Sequence, residues 1–261
     1  MRVVSLHPDV LVATSQIWQT NCTVVRSGEE SFAIDSPILT QELQTLPSLL
    51  EQAGFTLSGL LATHGDWDHL LGPTAFPDAS LGCAQSTAER LRAAPGAVQR
   101  ELRAFDEQHY IERPRPLALG TPQALPVPGR CGLGAQELEL HPADGHTEDG
   151  MAIWISWAGV LVPGDYLSAI EIPFFGEGGG TLAAYLRTLE RLRPLVQGAA
   201  HIVPGHGPVL DSARALAVLE EDLVYLHALQ EFGADARLPT GRRTAMQRQL
   251  HGENVSRIGP A

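Results

Sequence analysis

Residues 63–69 read THGDWDH, so His64, Asp66, Asp68 and His69 place four potential metal ligands within six residues. The preceding residues 58–62 (SGLLA) are short and apolar, which predicts the end of a buried strand. Leu70 and Leu71 then begin a brief apolar turn that Gly72 and Pro73 close. A strand that runs into a ligand-dense loop at its carboxyl end is a common place for an α/β protein to keep its chemistry. Imidazole and carboxylate without thiolate suit Zn, Fe or Mn and argue against a structural zinc knot. The alternative is a solvated loop that merely contains two Asp and two His.

Upstream, the runs at 2–5 (RVVS), 10–13 (VLVA), 22–26 (CTVVR) and 31–34 (SFAI) are β-branched and separated by turn residues, predicting an antiparallel sheet. Residues 27–30 (SGEE) read as a hairpin turn, and SFAI delivers Asp35. A helix is expected over 41–53, with Leu43, Leu46, Leu49 and Leu50 on one face and Gly54 after it. Downstream, 85–110 reads as helical with a break at Pro95-Gly96, and 113–134 is rich in Pro and Gly, predicting loops and edge hairpins. Residues 136–141 (QELELH) form a strand, and 151–157 with 159–165 a hairpin pair. An amphipathic helix is expected at 181–195, a buried strand within 200–210 (AHIVPGHGPVL) and a long helix over 211–232. The last thirty or so residues are polar and basic, predicting a short helix and a loose tail.

The element order is sheet, helix, strand, helix, and then the same again. It predicts an α+β (α/β) fold, a four-layer αββα sandwich with an extra C-terminal helix. No linker divides residues 1–261, so they read as one domain, with a core of about 1–210 and a helical extension over 211–261.

The composition, 44% apolar over 261 residues, is that of an ordinary soluble globular chain. A net charge of −12 without a run of Lys or Arg disfavours a nucleic-acid partner. Cys22, Cys83 and Cys131 show no metal-binding spacing and read as buried thiols in a reducing compartment. The opening MRVVSLHPDVLVATS is broken by His7, Pro8 and Asp9 before any long apolar run, so neither a signal peptide nor a membrane span is expected. A cytoplasmic location is the default. His7, His227 and His251 lie away from the ligand loops and are expected at the surface, and His201 is expected to be structural. His109 and Tyr110 end the 85–110 helix, in reach of the cleft, in the core or at the surface.

Three later sites share the arrangement of the first: Gly145-His146-Thr147, Gly164-Asp165 and Gly205-His206-Gly207. In each, a strand ends, a small residue lets the backbone turn, and a ligand-type side chain follows. Over residues 20–210, from Asn21 and Asp35 through VPGHGPV, the set resembles the metallo-β-lactamase superfamily, whose signature is T-H-x-H-x-D-H, G-H-T, G-D and G-H-G. The departure is Asp66, which stands where the signature has its second His.

The resemblance implies two divalent ions. His64, position 66 and His146 would hold one, Asp68, His69 and His206 the other, and Asp165 would bridge them. Asp68 and Asp165 would be the catalytic carboxylates, a shared hydroxide the nucleophile, and Asp35 would orient the ligand histidines or their loop. A carboxylate oxygen and an imidazole Nδ1 both sit two bonds from Cβ, so Asp66 can present an oxygen where a His would present a nitrogen. Its added charge favours Mn or Fe over Zn, or else weakens the first site to leave one metal or none. Substrate-facing candidates are Phe174 and Phe175 in the segment 166–180 (YLSAIEIPFFGEGGG), whose glycines suggest a pocket wall or lid, with Tyr166 facing a substrate carbonyl or packing in the core and Trp67 at the cleft mouth or under the loop.

The leading expectation is a metal-dependent hydrolase of a small ester, thioester, lactone, amide or phosphoester. No basic cluster is placed to hold glutathione carboxylates, no secretion signal suits a β-lactamase, and no RNA-binding insertion suits the ribonuclease branch. The alternatives are a mononuclear iron oxidoreductase of the same fold, resembling the persulfide dioxygenases, and a non-catalytic binding protein with an altered site.

Overall fold

A computed structural model describes residues 1–176 and 178–258. The opening β-branched runs form β1 (Arg2–His7), β2 (Val10–Thr14), β3 (Asn21–Ser27) and β4 (Glu30–Ile34), paired antiparallel in sequence order. Gly28, at φ +62°, makes the tight β3–β4 turn that a side chain would strain. After β4 the chain crosses through α1 (Thr40–Gln52) to β5 (Leu57–Ala62), which lies parallel to β4. A short helix, α2 (Gly72–Ala75), leads to β6 (Leu81–Ala84), parallel to β5. The expected break at Pro95-Gly96 separates α3 (Gln85–Ala93) from α4 (Ala97–His109), with Gly96 left-handed at φ +74°. Within the Pro/Gly-rich stretch, β7 (Gln123–Leu125) pairs parallel with β6 and completes a seven-stranded sheet.

The chain then enters a second sheet through β8 (Gly129–Leu133), β9 (Gln136–Pro142), β10 (Met151–Ile155) and β11 (Val160–Val162), all antiparallel neighbours. α5 (Leu182–Gly198) crosses over to β12 (His201–Ile202), parallel to β11 at the edge of this five-stranded sheet. Thr181 caps α5 by accepting from the Ala184 N–H. Asp211 likewise caps α6 (Ser212–Phe232) through the Arg214 N–H.

Alternation along the strands puts two apolar faces on each sheet. Val12, Val25, Ile34, Leu61, Leu140, Ile153, Ile155 and Val162 fill the space between the sheets. Leu43, Leu46, Leu60, Leu81, Leu102 and Phe105 pack α1 and α4 on the outer face of the first sheet. Leu161, Leu189, Leu192, Ile202, Leu219 and Leu226 pack α5 and α6 on the outer face of the second. The result is the four-layer αββα sandwich.

Two expectations change. The strand expected within 200–210 is confined to β12, because Pro204 lacks the N–H a ladder requires, and the chain leaves the sheet there for the Gly-His-Gly loop. The expected short helix appears as α7 (Ala245–Ile258), but in place of the expected loose tail it runs to Ile258 and is held by buried polar groups. Arg242, fully buried, pairs with Asp222 on α6 and donates to the Ser168 and Glu171 carbonyls. Gln247 accepts from the Ile172 N–H, and Asn254 bonds the 173–175 backbone and the Tyr225 hydroxyl. His251, expected at the surface, is half-buried with Nδ1 3.0 Å from the Tyr225 hydroxyl. Cys22 and Cys83 are buried, Cys131 is half-buried, and all three thiols are free.

Candidate metal centre

Five strand ends converge on one cleft. β4 ends at Asp35, which adopts φ +60° and turns its carboxylate inward. β5 releases residues 63–69, β9 leads to His146, β11 to Asp165 and β12 to His206. Close backbone approach is needed at Gly205, where an added Cβ would overlap the Asp165 carboxylate. The Gly205 loop is tied across to β3, where the Asn21 amide donates to the Pro204 and Gly207 carbonyls and the Asn21 N–H to the Gly205 carbonyl.

The four histidines present their Nε2 atoms to the cleft because each Nδ1 is engaged behind. His146 Nδ1 lies 2.7 Å from the Phe174 carbonyl and His206 Nδ1 3.2 Å from the Trp18 carbonyl. His69 Nδ1 lies 3.1 Å from Asp35 Oδ2. Carbonyls and carboxylates only accept, so these three nitrogens carry the proton and leave Nε2 as a lone-pair donor. Thr63 donates its hydroxyl to Asp35, so its oxygen is free to accept from His64 Nδ1 at 3.0 Å. All four rings are thereby set in the tautomer a metal ligand requires.

The carboxylates fill the gaps between the rings. Asp66 Oδ2 sits 3.3 Å from His146 Nε2 and 3.6 Å from His64 Nε2, and Asp68 Oδ2 sits 3.2 Å from His206 Nε2. Asp165 reaches every ring: Oδ1 is 3.1 Å from His69, and Oδ2 is 3.3, 3.4 and 3.9 Å from His206, His146 and His64. Among the described residues, three sets have ligand atoms within 4.8 Å of one another and could hold an ion: His64/Asp66/His146, Asp68/His69/His206 and His64/His69/Asp165. The structure thus brings all seven expected ligand residues, and Asp35 behind them, to one place.

Whether the residues suit a divalent ion is tested by their unmet bonding. His64 Nε2, His69 Nε2 and Asp165 Oδ1 are buried without a hydrogen-bond partner, the last two lying 3.1 Å apart without the alignment of a hydrogen bond. Orphaned buried polar atoms cost free energy unless something binds them. Three in one cluster of imidazole and carboxylate fit a divalent cation. Burial disfavours charge here, but mutual attraction outweighs it. Burial would lower the His146 imidazole, yet its bond to Asp66 and the charges of Asp165 and Asp66 raise it to about 9. His69 and His206 are likewise held well above the usual range against burial, chiefly by Asp165 for His69 and by Glu171 and Asp165 for His206. Asp66 and Asp165 are held well below theirs.

The cleft holds a cavity of about 240 Å³ whose apolar wall is Trp18, Ile172, Phe174, Met246 and Leu250, with Glu171 and Ser168 at its polar side. A neighbouring cavity of about 300 Å³ includes Trp67, Arg90 and Glu253. A further depression of about 350 Å³, between α1 and residues 113–115, shares no residue with either.

Of the substrate-facing candidates, Phe174 lines the cleft, and Trp67 lines its outer part while stacking on Trp18 and Phe105 at 5.6 and 4.6 Å. Tyr166 and Phe175 do not reach it. Tyr166 is 2% exposed, and its hydroxyl accepts from the His146 N–H and donates to the Ala143 carbonyl. Phe175 turns into the core around α5 and α6. Glu177 lies outside the described residues. The glycines beside it serve close packing: the Gly178 carbonyl accepts from the Glu148 N–H, and a Cβ on Gly180 would overlap the His146 carbonyl. Tyr110 is 94% exposed, and His109 stacks on Phe105 at the surface.

Sequence reasoning missed Arg90, Asp149, Glu171 and the α7 residues. One signal pointed to a cation: a third carboxylate among the ligands calls for a compensating charge.

With this geometry the chain falls within a known class. It matches the model of the metallo-beta-lactamase superfamily over residues 16–226 and belongs to that superfamily. A beta-lactamase-like protein 2 homolog from Caenorhabditis elegans is 23% identical over 194 residues, covering 74% of this chain and 57% of that relative. The chain therefore spans little more than half of that relative's length. A metallo-beta-lactamase family protein from Thermus thermophilus superposes with a TM-score of 0.69 at 21% identity, over 97% of this chain and 95% of that one. DIM-1 metallo-beta-lactamase superposes at 0.60 with 20% identity, over 84% and 96%. At these identities the likeness is one of fold.

Proposed function

We propose that the protein is a metal-dependent hydrolase that holds two divalent ions, of Zn, Mn or Fe, and cleaves an ester, thioester, lactone, amide or phosphoester of a small molecule. The observation that carries this reading is the convergence of four Nε2 atoms and three carboxylates with buried ligand atoms left unsatisfied. His64, Asp66 and His146 hold one ion, Asp68, His69 and His206 the other, and Asp165 reaches both sets. Bound there, the ions supply Lewis acidity and a water-derived nucleophile near neutral pH.

The chain's own residues do the rest. Asp35 and Thr63 fix His69 and His64 so that their lone pairs meet the cleft. Asp68 and Asp165, both largely buried, keep negative charge in the centre where protons must leave. Trp18, Ile172, Phe174, Met246 and Leu250 shed water from the side of the cleft that would take an apolar substrate group. Both triads keep their ligand atoms within 4.8 Å of one another, which favours two ions and hydrolysis over a single-iron oxidoreductase. The acidic chain favours a small-molecule substrate over nucleic acid, and no described helix is long and apolar enough to cross a membrane.

The test is a panel of chromogenic esters, thioesters, lactones, amides and phosphoesters, run on metal-loaded and chelator-stripped protein. Turnover of at least one class, lost on stripping and regained on reloading, is expected. Turnover indifferent to chelation, or none in any class by fully loaded protein, contradicts the reading.

A further inference from the structure

Asp66 is bonded on both sides. Its Oδ2 faces His64 and His146, while its Oδ1 accepts from Arg90 Nη2 at 2.7 Å. Arg90, on α3, gives Nη1 to Asp149 Oδ1 at 2.8 Å, and Asp149 Oδ2 accepts the Gly65 N–H at 3.0 Å. Gly65 is the residue between His64 and Asp66, so the chain of bonds closes on itself around the ligand loop. The Asp149 side chain is wholly buried, whereas Arg90 and Asp66 are 21% and 28% exposed. Glycines make room for the guanidinium. A Cβ on Gly178 would come 2.8 Å from Arg90 Nη2, and one on Gly65 would come 3.2 Å from Nη1.

We propose that Arg90 is a positioning residue that makes Asp66 serve in place of an imidazole: it draws Oδ1 out of the cleft, leaves Oδ2 as the one oxygen offered to the first ion, and offsets the charge the carboxylate brings. A free carboxylate can rotate and chelate through both oxygens, and a single fixed oxygen is the geometry nearest to one ring nitrogen. The surplus negative charge then rests on Asp149, whose oxygens are taken by Arg90 and the Gly65 N–H. A planar fork can bond two carboxylates at once, which a lysine ammonium does with poorer direction. The Asp at position 66 and the Arg at position 90 are, in this account, one functional unit.

This inference rests on the metal-dependent reading of the site. It is tested by zinc affinity, measured against a chromophoric chelator, for native protein, Arg90→Gln, Asp66→His and the double variant. Loss of the cation is expected to weaken one of the two ions by about 10- to 100-fold, the scale for partners that orient a ligand, and to leave the other unchanged. Asp66→His alone is expected to bind that ion poorly, because Arg90 then faces a ring instead of a carboxylate. Asp66→His with Arg90→Gln restores it. Native-like affinity in Arg90→Gln, or a tight Asp66→His that gains nothing from the second change, overturns the proposal. If Arg90→Gln does not fold, Arg90→Lys replaces it, with severalfold weaker binding expected and native affinity contradicting. A native chain that binds no zinc fails the metal reading itself, a separate outcome.

Discussion

The two ligand triads use the same chemistry and are held by different means. In the second, the His69, His206 and Asp68 side chains are 0%, 5% and 10% exposed, and the outer nitrogens of the two rings bond to Asp35, Trp18 and Thr20. Those partners flank β3 and β4, so the sheet that makes the core also aims the ligands. In the first, His64 is 4% exposed and held through Thr63 and Asp35, whereas Asp66 and His146 are 28% and 11% exposed. Their outer partners are a side chain on α3 and a carbonyl in the loop after Asp165. A triad aimed by strand ends inherits the stability of the fold. One aimed by a long charged side chain and a loop can be retuned by single substitutions, and it is there that the chain departs from the superfamily signature.

The strongest attempt to break this contrast is Asp165→Asn, because Asp165 contacts rings of both triads. Both ions should be lost on passage through dilute chelator, and hydrolysis should fall to background. Retention of one tight ion would show the triads to be independent. Next is the cover of the cleft. Arg242→Ala leaves Asp222 buried and unpaired, so urea unfolding should show a loss of about 3–5 kcal/mol. An unchanged midpoint would mean that α7 is not anchored through this pair. Asp35→Asn acts on His69 directly and on His64 only through Thr63, so the ion of the second triad should weaken by about 10- to 100-fold and that of the first by less. Equal weakening of both would erase the distinction.

The smallest effect is on pH. His146 is held near 9 because its bond to Asp66 and the adjacent carboxylates outweigh burial. Below that value the metal-free ring carries a second proton that an ion must displace, so affinity should climb as pH rises from neutral toward 9. A weakly buffered zinc titration at neutral pH should release protons. Zinc uptake without proton release would contradict the assignment of His146.

The sandwich was legible in the sequence because its strands are short β-branched runs and its helices carry apolar faces at helical spacing. The convergence of the seven candidate ligand residues was legible because the four short loops that carry them each follow a strand, in the order of the superfamily signature. The bonds of Arg90 to Asp66 and Asp149 were not, since they span 24 and 59 residues and arise from packing that no local pattern encodes. The anchoring of α7 was hidden in another way. Its polar sequence looks like a solvated tail, yet Arg242, Gln247 and Asn254 are buried by satisfying backbone and carboxylate groups on the 168–175 segment and α6. Phe175 packs inward because aromatic residues beside a cleft turn to the core as readily as to solvent, and Tyr166 takes the core packing that stood beside its substrate-facing reading.

The central claim is that the departure at Asp66 preserves a second ion. It is tested most directly by counting metal per chain on protein purified without added metal, for the native chain and for Asp66→Ala. Two equivalents are expected in the native protein and one in the variant. One equivalent in both, or none in the native chain even after reconstitution, would contradict it.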